Sequence, residues 1–294
     1  MILSLITDDV ALAGEAERAG IDRIVIDLER EGKAERQAGR SLFQSTHRLD
    51  SVHHVKAALQ RADLMVRINP LSERTPDEID AVLAGGTDVV MLPYFFTPAD
   101  VRSFVAMVDG RCKVSLLVET KSAVGQLAAC LAAGHIDEVH IGLNDLSIEL
   151  GCDVILEPMC TDVIDSLAAM LREARMPFGV GGLGPLSYEI LPVRPERLLA
   201  EQVRLGCTRA WLGRTFRHGL GGDRLSAEVD RIREAVERWR SASEEECREN
   251  RRTLFDEIQR WKACHAIRPS AHEAKASPRG SLFGIHGGTR ADRQ

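Results

Sequence analysis

The sequence predicts an α/β protein: a (β/α)8 TIM barrel with an appended C-terminal helical segment. Three observations carry that expectation. Eight short runs rich in β-branched residues or leucine alternate with longer amphipathic stretches almost to the C-terminus. This is the pattern of a parallel sheet with its helices outside, and eight such units are the number that closes a barrel. Arg67, Pro93, Glu119 and Asp145 recur at a constant interval of 26 residues, as equal-length βα units would place them. The glycine fingerprint that often follows the first strand of an open doubly wound sheet is absent.

The predicted strands are Ile2–Thr7, Arg23–Leu28, Leu64–Ile68, Asp88–Leu92, Lys113–Val118, Glu138–Leu143, Pro177–Val180 and Arg209–Leu212. Each is four to six or so residues of mostly apolar character, as a strand covered on both faces requires. Helical periodicity fills the gaps at Val10–Ala19, Val52–Arg61, Pro76–Ala84, Pro98–Val108, Ala123–Ala133, Cys160–Arg175 and Pro195–Leu205, and again from Ala227. Several of these stretches end in glycine, at Gly20, Gly85-Gly86, Gly110, Gly134 and Gly206, where a helix C-terminus favours it. The barrel is accordingly assigned to 1–225. Two further stripes follow: Val229, Ile232, Val236 and Trp239, then Leu254, Phe255, Ile258 and Trp261, with a polar stretch between them. They assign 226–266 to C-terminal helices, the second packing either on its own barrel or on a neighbouring subunit. Residues 267–294, dominated by Ser, Gly, His and Arg without periodicity, read as a disordered tail.

The bulk composition narrows the class. The chain of 294 residues is 44% hydrophobic and 28% charged, as expected of a globular protein with a sizeable core. A net charge of −6 gives no general attraction to nucleic acid or to an anionic membrane. No segment reaches the roughly 18 apolar residues of a membrane span, and the start runs at once into Asp8-Asp9. The seven cysteines are odd in number and irregularly spaced. They read as reduced thiols of a cytoplasmic protein, and Cys152 and Cys160 lack the second ligand pair of a zinc site.

The residues that carry chemistry cluster at predicted strand ends, the rim that holds the active site in this fold. Glu119 closes Val114-Ser115-Leu116-Leu117-Val118, and Asp145 follows Ile141-Gly142-Leu143-Asn144. Two carboxylates on one buried rim repel each other unless a cation lies between them. With no His or Cys beside them, they suit a hard, oxygen-preferring ion such as Mg²⁺ or Mn²⁺. The alternative is that each caps the next helix or pairs with a neighbour. Arg67 ends Leu64-Met65-Val66 and offers a planar donor fork to an oxyanion or carboxylate, or to a rim acid. Asp27 and Glu29, at the end of the second strand, can orient water, hold Arg67 or accept a proton.

The connection from Arg30 to about Asp50 is long for a barrel loop and carries Lys33, Arg36, Arg40, His47 and Arg48 against Glu31 and Glu35. That excess fits an anionic ligand as well as a solvated loop. His53 and His54 read as helix-surface or packing residues, and His140 as a core histidine. Gly179-Val180-Gly181-Gly182-Leu183-Gly184 permits close backbone approach, either to a ligand or in rim packing.

Taken together, Ile26-Asp27-Leu28-Glu29, Val66-Arg67-Ile68-Asn69-Pro70, Met91-Leu92-Pro93, Leu117-Val118-Glu119-Thr120 and Gly142-Leu143-Asn144-Asp145-Leu146-Ser147 resemble the HpcH/HpaI aldolase and citrate lyase β-subunit family. This family belongs to the pyruvate/phosphoenolpyruvate-binding barrels, and the resemblance covers about residues 1–220. It implies a cytoplasmic, homo-oligomeric, metal-dependent carbon–carbon lyase acting on a 2-oxo acid, with neither nucleic acid nor membrane as partner. By the same resemblance Glu119 and Asp145 are the metal ligands, for Mg²⁺ or else Mn²⁺ or Co²⁺. Arg67 contacts the keto or enolate oxygen, and Asn144 and Asp145, with nearby backbone amides, hold the substrate carboxylate. The chemistry implied is reversible cleavage of a 4-hydroxy-2-oxo acid through a pyruvate-type enolate. An acyl-CoA ester lyase of the citrate lyase type and a non-catalytic 2-oxo-acid-binding barrel are the alternatives. One departure stands out: Arg30 occupies the position where aldolases of the family carry a histidine and the citrate lyase branch an acid. His47, or water held by Asp27 or Glu29, is left as the base.

Overall fold

Every strand pairing in the computed structural model is parallel, and the helices lie between successive strands. The structure describes residues 1–37, 45–188, 192–216 and 222–266. The strands are β1 (Ile2–Ile6), β2 (Arg23–Asp27), β3 (Asp63–Arg67), β4 (Val89–Leu92), β5 (Lys113–Val118), β6 (Glu138–Ile141), β7 (Phe178–Val180), β8 (Gly182–Leu183) and β9 (Arg209–Leu212). They run around the sheet in the order β7-β6-β5-β4-β3-β2-β1-β9-β8.

Nine strands do not contradict an eight-unit barrel, because β7 and β8 are two halves of one strand broken at Gly181. Its φ of +58° is a conformation that glycine adopts freely, and a Cβ there would lie 2.5 Å from Leu143 Cδ1. The first half pairs with β6 and the second with β9, so the break turns the strand from one neighbour to the other. The Thr208 N–H, donating to the Phe178 carbonyl at 2.8 Å, bridges the remaining gap, and the barrel is nearly closed.

The constant 26-residue interval does not place its four residues at one height. Arg67 pairs with Met91 rather than Pro93, Leu92 with Leu116, and Leu117 with His140. Each successive member therefore stands two or three residues further out than its predecessor. Pro93 and Glu119 lie just past their strands, and Asp145 lies in the first turn of helix Leu143–Glu149. This short helix was not anticipated from the sequence. The stagger of a barrel sheet, which the interval alone does not contain, is the physical reason.

Apolar side chains fill two layers. Val25, Met65, Val89, Met91 and Leu117 pack inside the barrel, with Ile6 and Trp211 against them. The opposite faces of the same strands, including Ile24, Ile26, Leu64, Val66, Val90 and Leu116, join the helices in the larger outer core. The alternation is the two-residue period of a strand buried on both sides. The N-terminal end of the barrel is closed by charge. Arg23 Nη1 donates to Glu138 Oε1 at 2.5 Å, and Arg209 Nε donates to Glu138 Oε2 at 2.9 Å. This end serves stability and leaves the opposite mouth for chemistry.

The predicted helices are present with shifted ends. Ala123–Ala133 divides into Lys121–Gly125 and Leu127–Leu131, and the helix expected from Ala227 begins at Asp223, so it straddles the division drawn at 225. The second C-terminal stripe packs on its own barrel. Helix Glu244–Ala266 buries Leu254 and Ile258 completely. Glu257 Oε1 accepts from Arg197 Nε at 2.9 Å, and Lys262 Nζ donates to Glu157 Oε1 at 2.5 Å. Leu254 and Ile258 of that stripe are covered within the chain, while Phe255 and Trp261 stay partly exposed. The segment 267–294, read as a tail, lies outside the described residues, as do Arg40 and the rest of 38–44. No described helix is long and apolar enough to cross a membrane.

Candidate active site

A cavity of about 830 Å³ opens at the C-terminal mouth of the barrel. Asp27, Arg67, Glu119, Asn144 and Asp145 all line it, so the stagger still brings them together. Glu29, two residues past β2, is 1% exposed. One carboxylate oxygen from each of Glu29, Glu119 and Asp145 lies within 4.8 Å of the others. Among the described residues this is the one such group of three or more metal-type ligands.

Arg67 is fixed by a fork-to-fork contact: Nε donates to Asp27 Oδ1 at 2.8 Å and Nη2 to Asp27 Oδ2 at 2.5 Å. Its Nε is also 3.4 Å from Glu29 Oε2, and its guanidinium carbon lies 5.5 Å from the centre of the Trp211 ring. Burial by itself raises the Asp27 pKa, but the Arg67 charge and hydrogen bonds, with Lys33 beyond, bring it down to about 2. Burial likewise opposes the charge on Arg67, and Asp27 and Glu29 more than offset it, so Arg67 stays protonated. A buried pair of this kind specifies orientation more than it adds stability.

Glu119 is set differently. Its Oε1 accepts from the Tyr94 N–H at 3.1 Å, and Tyr94 holds a positive φ of 46° to present that donor. A Cβ on residue 142 would stand 2.6 Å from Glu119 Oε2, so glycine is required there by close approach. Burial, then the carboxylates of Glu29 and Asp145, push the Glu119 pKa well above the ordinary range. Arg67 and Lys33 only partly counter this.

The basic loop enters the same cavity. Residues Lys33–Arg36 form a short helix. Lys33 Nζ lies 2.8 Å from Glu29 Oε2 and 3.6 Å from Asp27 Oδ2. Arg36 Nη2 lies 2.6 Å from Glu29 Oε1 and 3.7 Å from Asp145 Oδ2, with its guanidinium carbon 3.8 Å from the centre of the Tyr94 ring. Gln37 Nε2 donates to Asp145 Oδ1 at 2.9 Å. Sequence reasoning had Lys33 and Arg36 only as loop charge, and it missed Gln37, Tyr94 and Gly142. The i,i+4 spacing of Glu29 and Lys33 was a usable clue; nothing local marks Tyr94.

His47 does not line the cavity. Its Nδ1 accepts from the Asp27 N–H at 3.1 Å, and Nε2 lies 3.4 Å from Asp8 Oδ1, so it braces the end of β2 from behind. Arg30, at the departure from the family pattern, is exposed and donates through Nη2 to the His47 carbonyl. His53 and His54 are exposed on helix Asp50–Ala58, as the sequence suggested. His140 is buried but also faces the cavity, stacked on Trp211 at 4.6 Å between ring centres. Its Nε2 lies 2.9 Å from the Gly181 carbonyl, an acceptor, which makes Nε2 the protonated nitrogen.

Burial lowers the His140 pKa to about 4, so the folded protein keeps this ring neutral while the unfolded chain takes up a proton near 6.5. The stability this contributes is present above pH 6.5 and is lost as pH falls from there towards 4. His140→Gln keeps an N–H donor without a titrating ring. Urea unfolding at pH 7.5 and at pH 5 should therefore show wild type losing about 2 kcal/mol more than the variant. Equal losses would contradict the assignment.

The acidic cluster suits a divalent ion. All its donors are hard oxygens, and burial together with the neighbouring carboxylates disfavours the charge on Glu119 that a cation would stabilise. Glu119 and Asp145 are the better-placed pair, because both oxygens of Glu29 are in close ion pairs with Lys33 and Arg36, whereas Glu119 accepts from a backbone N–H and Asp145 from the neutral Gln37 amide with Arg36 at 3.7 Å.

The fold and its mouth thus define a parallel-barrel protein with a carboxylate–arginine site at the C-terminal ends of its strands. The chain belongs to the HpcH/HpaI aldolase/citrate lyase family, which its sequence matches over residues 2–187. It is a lyase of the aldolase/citrate lyase type. A crystal structure of an HpcH/HpaI aldolase from Desulfitobacterium hafniense DCB-2 is similar, with a TM-score of 0.52 and 14% sequence identity, over 83% of this chain and 94% of that one. At that identity the likeness speaks for the fold alone. No curated protein matches the sequence.

Proposed function

We propose that the protein is a divalent-metal-dependent carbon–carbon lyase that cleaves or forms 4-hydroxy-2-oxo acids through a pyruvate-type enolate. The observation that carries this reading is the convergence of Arg67, Glu119 and Asp145 on one cavity. Glu119 and Asp145 would hold the ion, most suitably Mg²⁺, which supplies Lewis-acid stabilisation where negative charge develops. The chain's own groups do the rest. Arg67 directs its charge at the oxygen that becomes an enolate, and Asp27 and Glu29 keep it in that orientation. His47 holds the backbone of Asp27 and so acts as a positioning residue. The N–H groups at Asn144 and Asp145, in the first turn of helix Leu143–Glu149, would receive the substrate carboxylate. Leu117 and Leu143 set apolar surface beside these groups, which lowers the local dielectric and strengthens each of these interactions.

The test needs no knowledge of the aldehyde. Protein stripped with EDTA and reloaded with Mg²⁺ should exchange the methyl protons of pyruvate for deuterium, as followed by proton NMR, and the stripped sample should not. Pyruvate that binds without exchange would support a non-catalytic binder instead. Turnover of an acyl-CoA ester without exchange would move the reading to the citrate lyase branch.

A further inference from the structure

The cavity is much larger than a three-carbon acid needs, and its two arcs differ in chemistry. Every charged side chain lining it among the described residues, namely Asp27, Lys33, Arg67, Glu119 and Asp145, comes from the arc between β2 and the helix after β6. The facing arc presents Ile155, Leu156, Val193, Pro195, Leu198 and Trp261, with the uncharged Tyr188 and Thr215 as its polar side chains. Val193 and Leu198 are 6% and 5% exposed, so this wall is packed in place. Trp261 belongs to helix Glu244–Ala266, anchored by fully buried Leu254 and Ile258 and by the Lys262–Glu157 pair on the same turn as Leu156. The C-terminal helix thus completes the wall of the pocket with a residue beyond the family match over residues 2–187.

We infer that this arc is a binding site for an unbranched or aromatic hydrocarbon group, so that the substrate's second half is an apolar aldehyde. The inference rests on the lyase reading for the first half. In cleavage the C3–C4 bond breaks, its electron pair stays on C3 as the enolate, the 4-hydroxyl proton passes to water as the aldehyde forms, and the enolate takes a proton back from water to give pyruvate. The released aldehyde carries the C4 substituent, which would start at the charged floor and lie along the mainly apolar arc. A carboxylate or phosphate at its far end would meet no cation there among the described residues, and burying such a charge unpaired is costly.

Calorimetric titration of the Mg²⁺-loaded protein with pyruvate, 2-oxobutanoate, 2-oxohexanoate and 2-oxooctanoate tests this independently of turnover. A 2-oxodicarboxylate of matched length serves as the polar control. Affinity should rise about three- to fourfold per added methylene until the chain fills the arc. The dicarboxylate should gain nothing over pyruvate. In Trp261→Ala the ratio of 2-oxooctanoate to pyruvate affinity should fall at least fivefold, and in Ile155→Ala, a milder change, at least twofold. A flat series, or preference for the dicarboxylate, overturns the inference. Chain-length dependence without pyruvate exchange removes the lyase reading and leaves the apolar site standing; exchange with a flat series does the reverse. Binding of none of these acids overturns both.

Discussion

Glu119→Gln should abolish Mg²⁺-dependent exchange of the pyruvate methyl protons, lowering the rate at least 10³-fold. Loss of a group that holds the electrophile removes transition-state stabilisation of roughly 4 kcal/mol or more. The substitution should leave the fold intact. Gln has the same shape, its carbonyl can still accept from the Tyr94 N–H, and it carries no charge into a place where burial and two carboxylates already disfavour one. In EDTA the variant should therefore melt at or above the wild-type temperature. Wild type should gain several degrees on adding Mg²⁺, and the variant should gain none. A variant that keeps both the metal-induced shift and the exchange would remove Glu119 from the site. Melting with and without metal separates a lost ligand from a lost fold.

Arg67→Met should cost both stability and rate. It leaves Asp27 buried without its fork, and breaking a buried pair from one side typically costs about 3–5 kcal/mol. Lys33, 3.6 Å from Asp27, is positioned to compensate in part, which puts the expected loss at the lower end of that range. Exchange should fall roughly 10²–10³-fold, the range for removing one oxyanion donor. Arg67→Lys separates the two effects. One ammonium restores charge and much of the stability, but it cannot serve Asp27 with two parallel bonds while facing the cavity. Its rate should stay roughly tenfold or more below wild type. Full rate in Arg67→Lys would mean that the planar fork is dispensable.

The fold was legible because its units are separately encoded. The apolar runs of β2 and β5 and the turn-ending Gly20 and Gly206 are local statements that need no knowledge of the rest of the chain. Arg67 and Glu119 were legible for the opposite reason: charge at the end of an apolar strand is a local anomaly. What stayed hidden depends on geometry across the barrel. The stagger that lifts Asp145 above Arg67 is a property of the closed sheet. Tyr94 matters through a backbone N–H that any residue but proline carries, and Gly142 matters through a distance to Glu119. Helix Glu244–Ala266 showed its apolar stripe, but not whose surface the stripe meets.

The cations lodged among the carboxylates give the site a character of its own. Lys33 and Arg36 hold Glu29, beside the two ligand acids, and Arg36 with the Gln37 amide also reaches the Asp145 oxygens that a metal would take. Any ion arriving there is a competitor rather than an occupant of empty space. Its rivals cannot diffuse away, since tethering fixes them at a high effective concentration. Entry would then be an exchange of partners: an ion held by Glu119 and Asp145 would free Arg36 and Gln37 from Asp145, leaving a cation and a donor beside it for an anion. Metal and substrate acid would in that way favour each other's arrival, through a shared set of side chains rather than by direct contact alone.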